Sequence, residues 1–116
     1  MSRLKSLLLP HEQKALELFH QDLKTTFGQR LQEVKLFGSK VRGTDHLYSD
    51  LDVLVLLNID RIDFTVRDTV YGLAWKGLHQ YDVDISPLIY TVSEFKELFR
   101  RERLIARTIS EEGILL

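Results

Sequence analysis

The sequence predicts a small α/β (α+β) sandwich: a mixed sheet of about three to four strands with helices packed on one face. Three observations carry this. Apolar stripes at helical spacing alternate with short, dense apolar runs of strand length. Turn-forming residues separate the two kinds of segment. The densest run, Val53 to Leu57, opens on a pair of aspartates and has no polar alternation, as a strand covered on both faces requires.

Taken in order, Pro10 suits the first turn of a helix, with Glu12 and Gln13 near its positive end. Leu16, Phe19, Leu23 and Phe27 recur at spacings of three and four, and Gly28 supplies a left-handed stop. Leu31 to Phe37 reads as a short strand with Leu36 and Phe37 buried at its end. Ser39 to Gly43 reads as a tight turn or short helix, residues 44–49 as a polar loop, and Asp50 to Leu57 as the central strand. After a turn at Asn58 to Asp60, Ile62, Val66, Val70, Leu73 and Ala74 share one side of a long helix ending near His79. Tyr81 to Ile89 is the third strand, and Pro87 marks it as an edge or a distortion. Thr91 and Glu94 have capping-box spacing, opening a helix with Phe95, Leu98 and Phe99 on its apolar side. Beyond Arg103 the pattern fades, and Glu111 to Leu116 reads as a tail or a segment that orders against a partner.

The chemistry concentrates between Leu36 and Leu57. Gly38 and Ser39 close one apolar run, ten residues follow, and Asp50-Leu51-Asp52 opens the next. Glycine lets a backbone approach a phosphate closely, and serine adds an N–H and a hydroxyl donor. Aspartates at i and i+2 of a strand face the same way with Cα atoms about 6.8 Å apart, a spacing that lets both carboxylates grip hard cations. A phosphate cradle beside paired metal-binding acids suits a nucleoside triphosphate with magnesium. Without its setting, the aspartate pair would read as solvated turn residues before a strand.

Gly-Ser, ten residues, then Asp-x-Asp between two hydrophobic strands resembles the signature of the polymerase-β-type nucleotidyltransferase superfamily. Over about Val34 to Tyr90 the chain is most similar to its minimal nucleotidyltransferases (MNT). The resemblance implies a nucleotidyltransferase fold and transfer of a nucleoside monophosphate, AMP from ATP foremost, with two Mg2+ ions. It implies Asp50 and Asp52 as metal-binding and catalytic acids, and Gly38, Ser39 and Arg42 as triphosphate ligands. Arg42 and Gly43 complete the family's GSxxRG form, and Lys40 is a second cation in reach of phosphate. It also implies a third carboxylate on a neighbouring strand. Asp82 and Asp84 share one strand face, and Asp84 is preferred because Val83 and Ile85 flank it. Minimal members pair with a small helical HEPN-type toxin, as antitoxins that AMPylate a tyrosine on the toxin or cover it. That makes a HEPN-type toxin the expected partner, in a hetero-oligomer or alongside a homo-oligomer. The alternatives are a catalytically silent module that neutralises its partner sterically, and a small-molecule (antibiotic) nucleotidyltransferase.

Composition bounds the rest. With 116 residues, 44% apolar and 28% charged, the chain reads as one domain over 1–116. Sixteen basic against 17 acidic side chains argue against direct nucleic-acid binding. The lack of cysteine excludes disulfides and thiolate metal sites and fits a cytoplasmic protein. No apolar run nears the roughly 20 residues that span a bilayer, and the start, with Leu7 to Leu9 before Pro10, reads as a lead-in to a helix rather than a leader. His11, His20, His46 and His79 lack zinc spacing. Tyr71 and Trp75 read as core or interface residues. Arg100, Arg101, Arg103 and Arg107 form a basic stripe: a solvated face, or a contact for an acidic partner or RNA. No second domain to read an acceptor is visible, so something else is expected to supply it.

Overall fold

The computed structural model describes residues 6–43 and 50–116; the first five residues and the loop expected at 44–49 lie outside these. Helix α1 (Pro10–Phe27) leads through a short 3-10 turn (Gly28–Arg30) into β1 (Leu31–Phe37). A four-residue helix α2 (Ser39–Arg42) follows, then β2 (Leu51–Leu57) and α3 (Phe64–Tyr81). Next come β3 (Ile85–Thr91), α4 (Val92–Arg100), α5 (Leu104–Glu112) and a two-residue strand β4 (Ile114–Leu115). The strands form one mixed sheet in the order β3-β2-β1-β4. β1 is antiparallel to both β2 and β4, and β2 runs parallel to β3.

Because side chains alternate along a strand, β2 feeds two cores. Leu51, Val53, Val55 and Leu57 meet Leu16, Phe19, Leu23 and Phe27 of α1 and Val70 and Ala74 of α3, the stripes expected of those helices. Leu54 and Leu56 face the other way, against Phe37, Ile109 of α5 and Phe95 of α4. The mixed α/β sheet is as expected, but helices cover both faces and not one. The second layer comes from α5, whose register was unreadable because Ala106 and Ile109 alone are buried in it.

Local rules act where expected. Gly28 ends α1 at φ +55°. Thr91 accepts from the Glu94 N–H at 3.0 Å and donates its own N–H to Glu94 at 2.8 Å, closing the capping box. Pro87 lies in β3, the edge strand. Three expectations need correction. The strand from Tyr81 does not form: α3 runs through Tyr81 and ends on Asp82 at φ +56°, and β3 begins at Ile85. The last residues are not a loose tail, since Ile114 and Leu115 pair with Leu36 and Lys35 of β1. Phe99 is not buried on α4 but 51% exposed.

Candidate active site

The sheet register assembles the site at one end of β2. Asp52 is opposite Phe37 on one side and Ser86 on the other. The chain leaving β1 therefore places Gly38 on one flank of the acids, and the chain entering β3 places Asp84 on the other. Gly38 adopts φ +86°, where L side chains are strained, and a methyl there would collide with the Asp52 carboxylate, whose Cγ is 3.0 Å from that point. Glycine is thus required twice, by its dihedral and by the approach of Asp52. Its carbonyl starts α2, accepting from the Val41 and Arg42 N–H groups at 3.1 and 3.2 Å.

One backbone bond places Asp84 next to the other two acids. The Leu51 N–H donates to the Asp84 carbonyl at 2.9 Å, tying Asp84 beside Asp50. Asp82 instead caps α3, its N–H spent on the helix's last carbonyls. Burial, the charge of Asp50 and a hydrogen bond shared with Asp50 raise the Asp84 carboxyl above its ordinary value. Burial and then Asp50 also raise Asp52, partly offset by the Arg42 guanidinium. Three carboxylates and one arginine therefore share one electrostatic neighbourhood, short of positive charge.

Such hard oxygen donors suit magnesium. Among the described residues, no three His, Cys, Asp or Glu side chains are already gathered closely enough to enclose an ion. The chemistry of the donors fits the ion.

The cations divide. Lys40 does not face phosphate; it is 4% exposed and pairs with the buried Glu12 at 2.8 Å. The other Glu12 oxygen accepts from the Leu9 N–H at 2.8 Å, so Glu12 both caps α1 and pins α2 to it. Arg42 is half-exposed, with Nη1 3.6 Å from Glu112 Oε2. That oxygen is buried and has no hydrogen-bond partner among the described residues. Sequence reasoning missed both glutamates: Glu112 lies where the pattern fades, and Glu12 looks like an ordinary first-turn acid. The basic stripe begins as a solvated face, with Arg100 and Arg101 both bonded to Glu97 and holding its carboxyl down to about 2. Tyr71 and Trp75 are not core; both are exposed and line a cleft reaching Asp50 and Asp84.

The model of the nucleotidyltransferase domain family matches residues 16–116. The chain belongs to that family. A Methanocaldococcus jannaschii protein provisionally named a protein adenylyltransferase, MJ0604, is 33% identical over 108 residues, covering 91% of this chain and 98% of its own. Among solved nucleotidyltransferase neighbours, a toxin–antitoxin crystallised with AMP-PNP has TM-score 0.56 and 26% identity, over 84% of this chain and 68% of the other. The MNT antitoxin complex with a tri-AMPylated HEPN toxin of Shewanella oneidensis has TM-score 0.50 and 23% identity, over 90% and 67%, and shares the fold. As a nucleotidyltransferase, this chain thus resembles the MNT components of toxin–antitoxin pairs. No helix among its described residues is long and apolar enough to cross a membrane.

Proposed function

We propose that this nucleotidyltransferase moves AMP from ATP to a hydroxyl on a HEPN-type partner protein and thereby acts as its antitoxin. The observation that carries the reading is the convergence of Asp50, Asp52 and Asp84 beside the Gly38–Ser39 turn. The toxin–antitoxin neighbour crystallised with AMP-PNP and the tri-AMPylated HEPN complex support nucleotide and partner.

In this reading Asp50, Asp52 and Asp84 would hold magnesium, which would supply charge neutralisation of the triphosphate and polarisation of the α-phosphate. Gly38 and Ser39 bind the β- and γ-phosphates through backbone N–H groups and the serine hydroxyl. Arg42 exchanges its long contact with Glu112 for phosphate oxygens, where a planar fork is the better partner. Asp84 takes the proton of the acceptor hydroxyl. The hydroxyl oxygen bonds to the α-phosphorus, the bond from that phosphorus to the β-bridging oxygen breaks, and pyrophosphate leaves.

Mass spectrometry of a co-expressed HEPN-type toxin tests this. With ATP and magnesium the toxin gains whole AMP adducts and its growth inhibition is lost; the Asp50→Ala, Asp52→Ala double variant gives neither. A double variant that still neutralises an unmodified toxin would replace catalysis by steric cover.

A further inference from the structure

On the sheet face that α4 and α5 cover, the corner between these two helices carries apolar side chains that the fold leaves open. α4 is amphipathic, with Val92, Phe95, Leu98 and Phe99 along one side, yet none of its residues is buried. Phe95 packs on the second core, whereas Phe99 is 51% exposed. Across the corner, Leu104 (78% exposed) and Ile105 (38% exposed) open α5, whose buried residues are Ala106 and Ile109. We propose that this corner is the docking surface for the partner protein, and that the partner meets it with an apolar ridge edged by carboxylates. The proposal rests on the pairing with a HEPN-type partner and adds the face of this chain that holds it and the chemistry the partner must present.

Shape is the first support. Two backbone bonds close the corner: the Arg103 N–H donates to the Leu98 carbonyl and the Glu102 N–H to the Phe99 carbonyl, both at 3.0 Å. Glu102 takes φ +55°, where glycine is the usual residue, so the turn is held by these bonds rather than by preference. The backbone at Phe99 and Leu104 is thus set before a partner arrives, which lowers the ordering cost of binding. Exposed aromatic and apolar side chains beside arginine have the composition of an interface centre.

Charge is the second support, and it selects the occupant. Four arginines against one glutamate lie between residues 100 and 107, in a chain whose formal charge is −1. Arg100 and Arg101 are engaged by Glu97, but Arg103 and Arg107 are exposed at the start of α5, one helical turn apart. They stand at the positive end of that helix, whose first turn holds no acid, so the fold gains nothing from their charge there. A second copy of the chain would set these arginines against one another. Elsewhere in the chain acids outnumber bases, which disfavours RNA and anionic bilayers. An acidic protein surface answers both the charge and the apolar centre. α5 also links the corner to the site: it rises about 12 Å from Leu104 to Glu112, and Glu112 contacts Arg42. A partner held at the corner is one short helix away from the phosphate-side arginine.

The intact chain is titrated with the HEPN-type toxin by calorimetry. Leu104→Asp should weaken binding about ten- to a hundredfold, the scale of losing an interface anchor, and leave Tm unchanged because the side chain is exposed. Arg103→Glu with Arg107→Glu should slow association about three- to tenfold and remove most of its salt dependence. In AMP transfer to the toxin both variants raise KM for the toxin and leave KM for ATP unchanged. Leu104→Cys, in a chain with no other cysteine, carries a photo-crosslinker, and the toxin peptide it captures should hold apolar residues flanked by Asp or Glu. Unchanged toxin affinity in both variants, or capture of a basic peptide, overturns the proposal. So does polyuridylate or a phosphatidylserine vesicle taking the toxin's place at the corner. Toxin that binds there without gaining AMP would sink the transfer reading and leave this surface standing. A parent chain that binds no toxin would sink the pairing and this surface with it.

Discussion

The two flanks of β2 are built by opposite rules. On the β1 flank, positive-φ Gly38 lies under the Asp52 carboxylate, and α2 is bolted to α1 by the buried Glu12–Lys40 pair. On the β3 flank, Asp84 is held by a backbone bond but faces a cleft with two exposed aromatic rings. The first flank is closed by packing and by a dihedral that favours glycine; the second is left open. Rigidity is concentrated where geometry has to be fixed before a charged ligand arrives.

This contrast makes graded predictions. The largest effect belongs to the buried pair: Glu12→Ala breaks the buried ion pair with Lys40 and removes the cap on Leu9, and should cost about 3–5 kcal/mol in urea unfolding. Trp75→Ala, on the other flank, should stay within about 0.5 kcal/mol. Equal losses would abolish the distinction. Next is Gly38→Ala, which forces Asp52 aside; AMP transfer should fall about 10²–10³-fold, the scale of losing one preorganised charge contact. The folded protein should persist, as read by circular dichroism.

The smallest effect is electrostatic and divides between the flanks. Asp52 and Asp84 are raised above the ordinary 3.8, so the native protein retains protons that the unfolded chain has released. Their contribution is therefore fully present below 3.8 and is lost as pH rises through the raised values. Asp50→Asn removes the charge common to both and should flatten that slope in melts recorded with EDTA. Because both groups keep contact with solvent, the change should be below about 1 kcal/mol. Magnesium should raise Tm of the parent more than that of the variant.

Legibility followed the range of the interactions. The stripe of α1 and the Thr91 capping box were readable because each depends on residues a few positions apart, and the Gly38–Asp52 spacing because it matches a family signature. Lys40 was misread as a phosphate-facing cation because its partner, Glu12, is 28 positions earlier and only packing buries both. Asp82 and Asp84 looked like neighbours on one strand face; they are not, because α3 runs on to Tyr81 and a left-handed Asp82 breaks the alternation that the pairing assumed. α5 and β4 were invisible because two buried residues and two strand pairs carry too little local pattern.

By itself the sequence determined the mixed α/β architecture, the glycine-serine turn and the two leading aspartates, because backbone preference and hydrophobic period act along the chain. Tertiary structure alone decided that Asp84 lies beside Asp50 while Asp82 caps a helix, where Lys40 goes, and that an aromatic cleft opens beside the carboxylates. Those outcomes depend on strand register and burial, which bring distant residues together at distances that no local pattern encodes.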